Sequence, residues 1–290
     1  MSRIICFGEI LWDLFPSGPI PGGAPMNVAF HAKNLGADAL IYSARGEDKL
    51  GEELCEIITE RGINTDYIQN NLHPTGTVDV NTSNPSEVKY TIVSPSAWDF
   101  IEYTPMPMGH SDFFVFGTLA ARNDISRTTL LNLLDGDAYK IMDMNLRAPF
   151  FEKELIQELL EKTNLLKVNE QEYAKLSQWF GYDTDPMIGY QQIRQEFGLD
   201  KLLITYGSKG ASLVTPEGHW KSRTYNITVA DTVGAGDSFL AALLWGLQQG
   251  NPLQEVLDFA VALGAMVATR KGANPIIRAE EVHDFIAASH

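Results

Sequence analysis

Two cysteines, Cys6 and Cys55, are the whole thiol inventory of the 290-residue chain. They are too few and too far apart for a disulfide framework or a cysteine-based zinc site, and each suits a core or near-core position. The six histidines show no zinc spacing and no His-Glu-x-x-His, so they are read as structural or exposed. Basic residues are scarce too: 22 lysines and arginines stand against 37 aspartates and glutamates, a net charge of −15. Such a chain lacks the basic footprint of a nucleic-acid binder. An anionic small ligand stays open, because a nest of amides and a few local cations suffice for it. No apolar run approaches the ~20 residues that span a bilayer. The apolar stretch in Met1–Glu9 is too short for a secretory signal, so a cytoplasmic protein with neither membrane nor nucleic-acid partners is expected. Finally, Gly8-Glu-Ile-Leu-Trp12 stands after the first apolar run. A nicotinamide-binding Rossmann unit would carry Gly-x-Gly-x-x-Gly there.

What is present is enough apolar residue, 44% of the chain, to bury a large core. Short apolar runs alternate with helix-periodic ones. Arg3–Gly8, Leu40–Ala44, Phe113–Gly117, Tyr139–Met144, Leu165–Val168 and Leu202–Thr205 read as strands. Asn27–Leu35, Gly51–Arg61, Ile125–Leu134, Lys153–Lys162, Gln171–Trp179 and Ile188–Phe197 read as helices. Such alternation predicts a mostly parallel sheet covered by helices on its faces. Gly207–Thr215 and His219–Lys221 suggest added antiparallel strands, and Ser238–Gln249, Leu253–Thr269 and Glu280–Ala288 suggest closing helices. The rhythm breaks between His73 and Thr104. There Thr77–Asn81 and Val88–Val93, with Asn84-Pro85 between them, predict a hairpin without a crossover helix.

The strongest chemical signal is Asp231-Thr-Val-Gly-Ala-Gly-Asp-Ser-Phe239, followed by the apolar, small-residue run Leu240–Leu247. Gly234, Ala235 and Gly236 therefore fall in the turn that opens a buried helix. Glycines there let backbone N–H groups converge on a ligand, and the helix N-terminus favours negative charge. Asp237 falls in the first turn beside that anion site. A carboxylate so placed can take a proton from an attacking hydroxyl while the amides hold a transferred phosphoryl group. A plain glycine turn capped by an aspartate is the competing reading of the three residues alone.

Further polar constellations sit at strand ends. Asp13 follows the first strand, Gly22-Gly23 precedes a helix, and Asn27 supplies an amide; together they offer the forked donors and acceptors a polyol needs. Asp143-Met-Asn-Leu-Arg147 spaces three polar side chains two apart, so an extended segment projects them to one side. Arg147 could bind a phosphate or a substrate oxygen, or make a surface ion pair. Asn169-Glu-Gln-Glu172 is readable as a helix cap. Thr205-Tyr-Gly-Ser-Lys-Gly210 closes a strand in a tight turn.

The Asp231–Phe239 string and Gly22-Gly-Ala-Pro-Met-Asn-Val-Ala-Phe30 resemble the two signatures of the ribokinase-like (PfkB) carbohydrate kinases. The resemblance runs in order from Gly8-Glu9 to Gly272-Ala273. It implies an α/β fold: one ribokinase-like α/β/α sandwich domain over 1–290, its central sheet mostly parallel, with a small β-sheet lid from about 11–20 and 73–104. It implies ATP-dependent transfer to a primary sugar hydroxyl, with Asp237 as base and Gly234, Ala235 and Gly236 around the anion hole. By the same match, Asp13, Gly22, Gly23, Asn27 and Arg147 bind sugar, and Asn169, Thr205, Gly207, Ser208, Gly210, Gly234 and Gly236 bind nucleotide. Asn169 and Glu172 would organise Mg2+ through water. Adenine would pack on the helix around Phe259–Met266. A potassium site, where relatives have one, would use Asp231, Val233, Val267, Arg270 and Gly272, but Ile276 replaces a serine that ribokinases place there. Pairing of two copies through the lid is the partner expectation. Among substrates, Gly-Gly-Ala-Pro, the Asp-x-Asn-x-Arg element and Pro95-Ser-Ala-Trp-Asp99 look most like fructokinases. Trp98 would sit in the lid, the core or a dimer contact. A 2-keto-3-deoxygluconate kinase is the runner-up, and its carboxylate substrate should want cations beyond Arg147 and Arg122. A sugar sensor on a kinase scaffold is the reading from another class, and it predicts a lost base or anion loop.

Overall fold

The structure is a computed structural model that describes residues 2–81, 89–183 and 185–289, with the side chain of Lys89 outside the description. Its strands, in chain order, are β1 (Arg3–Phe7), β2 (Leu11–Phe15), β3 (Gly18–Gly22), β4 (Asp38–Gly46), β5 (Ile68–Asn71), β6 (Gly76–Asn81), β7 (Lys89–Ile92), β8 (Phe113–Gly117), β9 (Tyr139–Asp143), β10 (Leu165–Asn169), β11 (Lys201–Thr205), β12 (Ala211–Val214) and β13 (His219–Lys221). The helices are α1 (Ala24–Asn34), α2 (Lys49–Glu60), α3 (Asp124–Leu134), α4 (Lys153–Leu160), α5 (Glu170–Phe180), α6 (Pro186–Glu196), α7 (Ala235–Gln248), α8 (Leu253–Ala268) and α9 (Ala279–Ala288).

Among the described residues, nine strands make one sheet in the order β13-β12-β11-β10-β9-β8-β1-β4-β5. It is parallel from β5 to β11 and antiparallel at β12 and β13. Period-two alternation sorts each strand's side chains onto two faces. Ile4, Cys6, Ile41, Val115, Ile141 and Leu203 pack under α1, α2, α7, α8 and α9. Ile5, Phe7, Tyr42, Phe114, Met142 and Ile204 pack under α3, α4, α5 and α6. These two clusters make the three-layer α/β/α sandwich. Parallel strands buried on both faces read as unbroken apolar runs, which is why Ile4-Ile-Cys-Phe7 and Leu202-Leu-Ile204 were legible.

A second, four-stranded sheet runs β3-β2-β6-β7. Only β2 and β6 are parallel in it; β2–β3 and β6–β7 are antiparallel. Leu11, Val78 and Val80 form its own small core. Of the hairpin expected over 77–93, Val88 and the Asn84-Pro85 connection lie outside the described residues. The sheet ends at Ile92, and the following segment leaves it. Ala97–Phe100 is a short 3-10 helix whose Trp98 is fully buried, so the β-structure expected to reach Thr104 stops well before it. A second correction concerns 207–215. Gly207–Lys209 is a 3-10 turn and the strand begins at Ala211. Gly207 (φ 58°) and Gly210 (φ 88°) both adopt left-handed backbone, which a strand cannot accommodate.

Candidate active site

The parallel register aligns the carboxyl ends of the central strands. Gly117 pairs with Asp143, Asp143 with Lys167, and Asn169 with Thr205. The polar residues that follow the strands are thereby gathered on one edge, where open α/β sheets bind ligands.

Helix α7 meets this edge. Its N-cap, Gly234, has φ 76°, and a Cβ there would lie 2.4 Å from the Ala273 carbonyl oxygen. The turn therefore needs glycine both for its handedness and for its contact with the 270–274 loop. Ser238 N–H makes an early bond of the helix, to Gly234 O at 2.9 Å, so the Gly236 and Asp237 amides precede the intrahelical ladder. Lys167 sits below this turn: a Cβ on Gly236 would stand 3.6 Å from its ammonium nitrogen. The ammonium donates to both Asp143 carboxylate oxygens at 2.8 Å. Amides, a helix terminus and a buried cation thus converge on one spot.

Asp237 lies beside it, half-buried. Asn27 Nδ2 donates to Asp237 Oδ2 at 2.7 Å, joining the two sequence motifs across 210 residues. Burial first, and then the Asp143 charge, push the Asp237 carboxyl up to about 6, against the Asn27 hydrogen bond and the Lys167 and Arg147 charges. A carboxylate with that value can accept a proton near neutral pH.

Asp13, on β2, faces Gly22 on β3. A Cβ on Gly22 would fall 2.4 Å from Asp13 Oδ2, and one on Gly23 would fall 2.3 Å from the Glu9 carbonyl oxygen. The glycine pair therefore leaves room for a carboxylate and a close chain crossing. Burial raises Asp13 to about 6, with Arg147 opposing. Arg147 is exposed in the loop after β9, and its charge also acts on Glu9, Asp237 and Tyr90, so it looks into the same cleft.

Asn169 and Glu172 form a reciprocal capping box at the start of α5. Glu172 Oε2 accepts from Asn169 N–H and Oε1 from Leu146 N–H, both at 2.9 Å. Among the described residues no group of three or more His, Cys, Asp or Glu is arranged to hold a metal. With the carboxylate so engaged, the pair suits a magnesium ion held through water rather than by direct ligation. Thr205 Oγ1 donates to Val168 O at 3.4 Å, beside the exposed Gly207-Ser208 turn and the buried Gly210.

Asp231 ties the α7 approach to the late loop. Its Oδ1 accepts from Val233 N–H at 3.0 Å and its Oδ2 from Gly272 N–H at 3.1 Å. Arg270 N–H donates to Val267 O at 2.9 Å. Of the five residues of the cation expectation, Asp231 is thus joined to Val233 and Gly272, and Arg270 separately to Val267. Ile276 is half-exposed, and Arg270 Nη1 donates to its carbonyl at 3.0 Å.

Sequence reasoning missed four groups. Glu9 is buried with Oε2 unpartnered; burial raises its carboxyl to about 7, and Arg147 opposes this. Tyr90, on β7, has its phenol raised by burial and by the charges of Asp13 and Asp231. Lys167 was readable only as a strand residue. Asn274 Nδ2 donates to Asn27 Oδ1 at 2.7 Å; its position directly after Gly272-Ala273 was the available signal. Arg122, considered as a substrate cation, is instead locked to Asp99 at 2.6 Å with its side chain 5% exposed.

The architecture is that of solved fructokinases. The chain superposes on a fructokinase from Xylella fastidiosa with bound ATP at TM-score 0.88 and 22% identity, covering 99% of this chain and 98% of that one. Residues 19–279 match the profile of the pfkB family carbohydrate kinases, and the chain belongs to that family. It is 26% identical to a fructokinase from Escherichia coli over 94% of this chain and 95% of the relative. It is equally 26% identical to an aminoimidazole riboside kinase from Salmonella typhimurium, over 100% of this chain and 96% of the relative. Among the described residues no helix is long and apolar enough to cross a membrane.

Proposed function

We propose that the protein transfers the γ-phosphoryl group of ATP to a primary hydroxyl of a small neutral sugar, D-fructose first, giving fructose 6-phosphate and ADP. The carrying observation is the 2.7 Å contact between Asn27 and Asp237, which brings the Asn27 amide and a raised carboxylate together at the mouth of one amide-lined turn. The sugar hydroxyl loses its proton to Asp237 as its oxygen bonds to phosphorus. The Gly234–Asp237 amides and Lys167 offset the negative charge on the phosphoryl oxygens. Asp13, Asn27 and Arg147 hold the sugar, with Gly22 and Gly23 giving it room. The nucleotide lies along Asn169, Thr205, Gly207, Ser208 and Gly210. Magnesium, brought with the nucleotide, would neutralise phosphate charge near Asn169 and Glu172. Asp231, with Val233, Val267, Arg270 and Gly272, is the place for an activating monovalent cation. The β3-β2-β6-β7 sheet acts as a lid that excludes water and is the surface on which two copies would pair. Intracellular small-molecule metabolism is the setting this chemistry fits.

A neutral substrate is favoured because Arg122 is held by Asp99, leaving Arg147 as the cleft's arginine of the two. A keto-acid wants a second free cation. The Salmonella relative named for a riboside keeps a second primary-hydroxyl acceptor in view. ADP release should therefore be measured over fructose, tagatose, ribose, aminoimidazole riboside and 2-keto-3-deoxygluconate. Fructose is expected to give the highest kcat/KM. Signal from the keto-acid alone, or from a riboside alone, would replace the fructose assignment; no signal from any would remove the kinase reading.

Gly22→Ala tests the sugar subsite. The added methyl meets the movable end of Asp13 rather than backbone, so the fold should survive while Asp13 shifts. Losing one hydrogen bond to a charged group weakens binding by ~1.5–3 kcal/mol, so the sugar KM is expected to rise about 10- to 100-fold with the ATP KM unchanged. Steady-state kinetics and a melting curve check both halves.

A further inference from the structure

We propose that Asn274 is a positioning residue for the base: it fixes which way the Asn27 amide points and ties that choice to strand β3. The proposal rests on the reading of Asp237 as the base.

The hydrogen-bond chain has a forced polarity. An ionised carboxylate only accepts, so Asn27 must offer its NH2 to Asp237, at 2.7 Å. Its carbonyl oxygen then points the other way and needs a donor. Asn274 Nδ2 supplies it at 2.7 Å, and the same nitrogen reaches the Pro21 carbonyl on β3 at 3.5 Å. Pro21 O also only accepts, so a turned Asn274 would set oxygen against oxygen at both contacts. Asn274 Oδ1 is buried without a partner; its two donor contacts are what orient the group. The backbone around it is anchored independently. Arg61 Nη2 donates to Asn274 O at 3.0 Å, with the guanidinium 5.2 Å from the Phe30 ring centroid. His31, buried and held neutral by burial, which pushes its pKa down to about 4, bonds Ala273 O through Nε2 at 2.8 Å.

Without the donor at 274, Asn27 is free to rotate and present its oxygen to Asp237. That removes a bond that favours the ionised base and adds a repulsion. Other groups act on Asp237 from elsewhere: Asp143 at the end of β9, Lys167 in the middle of β10, Arg147 in the loop after β9, and Glu9 and Cys6 from β1 and its end. None of the hydrogen bonds of Asn274 goes to any of them, so their contribution stays constant in the comparison.

The test is the pH dependence of kcat at saturating sugar in Asn274→Leu, which keeps the size and removes the donor. The acid limb is expected to move up by about half a unit or more. At pH 6 turnover is expected to fall ~2- to 5-fold for a shift of about half a unit to one unit, with the ATP KM and the melting temperature near wild type. Asn274→Asp is the second variant. It is isosteric, but its carboxylate draws the Asn27 NH2 toward itself, so its limb should move further than that of the leucine variant. A wild-type limb in a folded Asn274→Leu overturns the proposal, and a wild-type limb in Asn274→Asp does so if the leucine variant fails to fold. Adding Asn274→Leu to Asp237→Asn should give no further loss; additive losses would show that Asn274 acts elsewhere. If Asp237→Asn alone retains turnover, it is the assignment of the base that fails instead.

Discussion

Replacing Asp237 by asparagine is expected to cut turnover by ~100-fold or more while leaving ATP binding close to wild type. The amide keeps the size of the carboxylate and can still face Asn27, so the turn at Gly234 is undisturbed. What it cannot do is accept the proton of the attacking hydroxyl. The pH profile is the sharper readout. Burial and the Asp143 charge raise the wild-type carboxyl to about 6, and only the ionised form acts as base. Turnover should therefore halve at that value and approach a tenfold fall per unit below it, and the asparagine variant should lose the limb. Stability supplies an independent sign. A carboxyl raised above its ordinary value binds its proton more readily in the folded state. Its stabilising share is thus present below the ordinary value and lost as pH rises through about 6. The asparagine variant should melt at or above the wild type at pH 8 and gain nothing at pH 4. Near-normal turnover, or a retained acid limb, would remove Asp237 from the chemistry.

The layered fold could be read in the sequence because each central strand is buried on both faces and each helix on one. Phe113–Gly117 is a strand with the limits that its apolar run suggests. The chemistry could be read where it is local: Gly234 to Asp237 needs only a turn and the first turn of a helix. The site became obscure where it depends on distance. The bond from Asn27 to Asp237 spans 210 residues and that from Asn274 to Asn27 spans 247, and no periodicity encodes such pairings. Nothing local to Glu9 marks it as buried; the chain crosses it at Gly23. Tyr90 depends on strand register, since a slip of one residue would turn it to the other face. Pro95-Ser-Ala-Trp-Asp99 carries no helical or strand period, so a core tryptophan and a lid tryptophan looked alike.

That buried tryptophan belongs to the contact whose loss should weaken the fold most. Arg122 Nε donates to Asp99 Oδ1 at 2.6 Å and its Nη2 to Oδ2 at 2.8 Å. The guanidinium lies 3.9 Å from the Trp98 ring centroid and 4.6 Å from that of Phe150. Their side chains are 5% and 1% exposed, so neither charge has water to fall back on. Asp99→Ala strands the arginine and also removes the acceptor of Ser96 N–H at 2.9 Å. Breaking a buried pair from one side costs ~3–5 kcal/mol, which for a chain of this size corresponds to a melting temperature lower by roughly 10 °C. The double variant Asp99→Ala with Arg122→Met should recover much of that loss, because an apolar side chain between two rings carries no charge to strand. Equal melting of single and double variants would show that the pair is not the cause. The loss should reach the site as well. Arg122 Nη2 donates to Val93 O at 2.9 Å, just past β7, and Phe150 N–H donates to Arg147 O at 2.8 Å. One guanidinium therefore braces both the exit of the small sheet and the loop that carries Arg147. The double variant, though stable, is expected to keep a raised sugar KM.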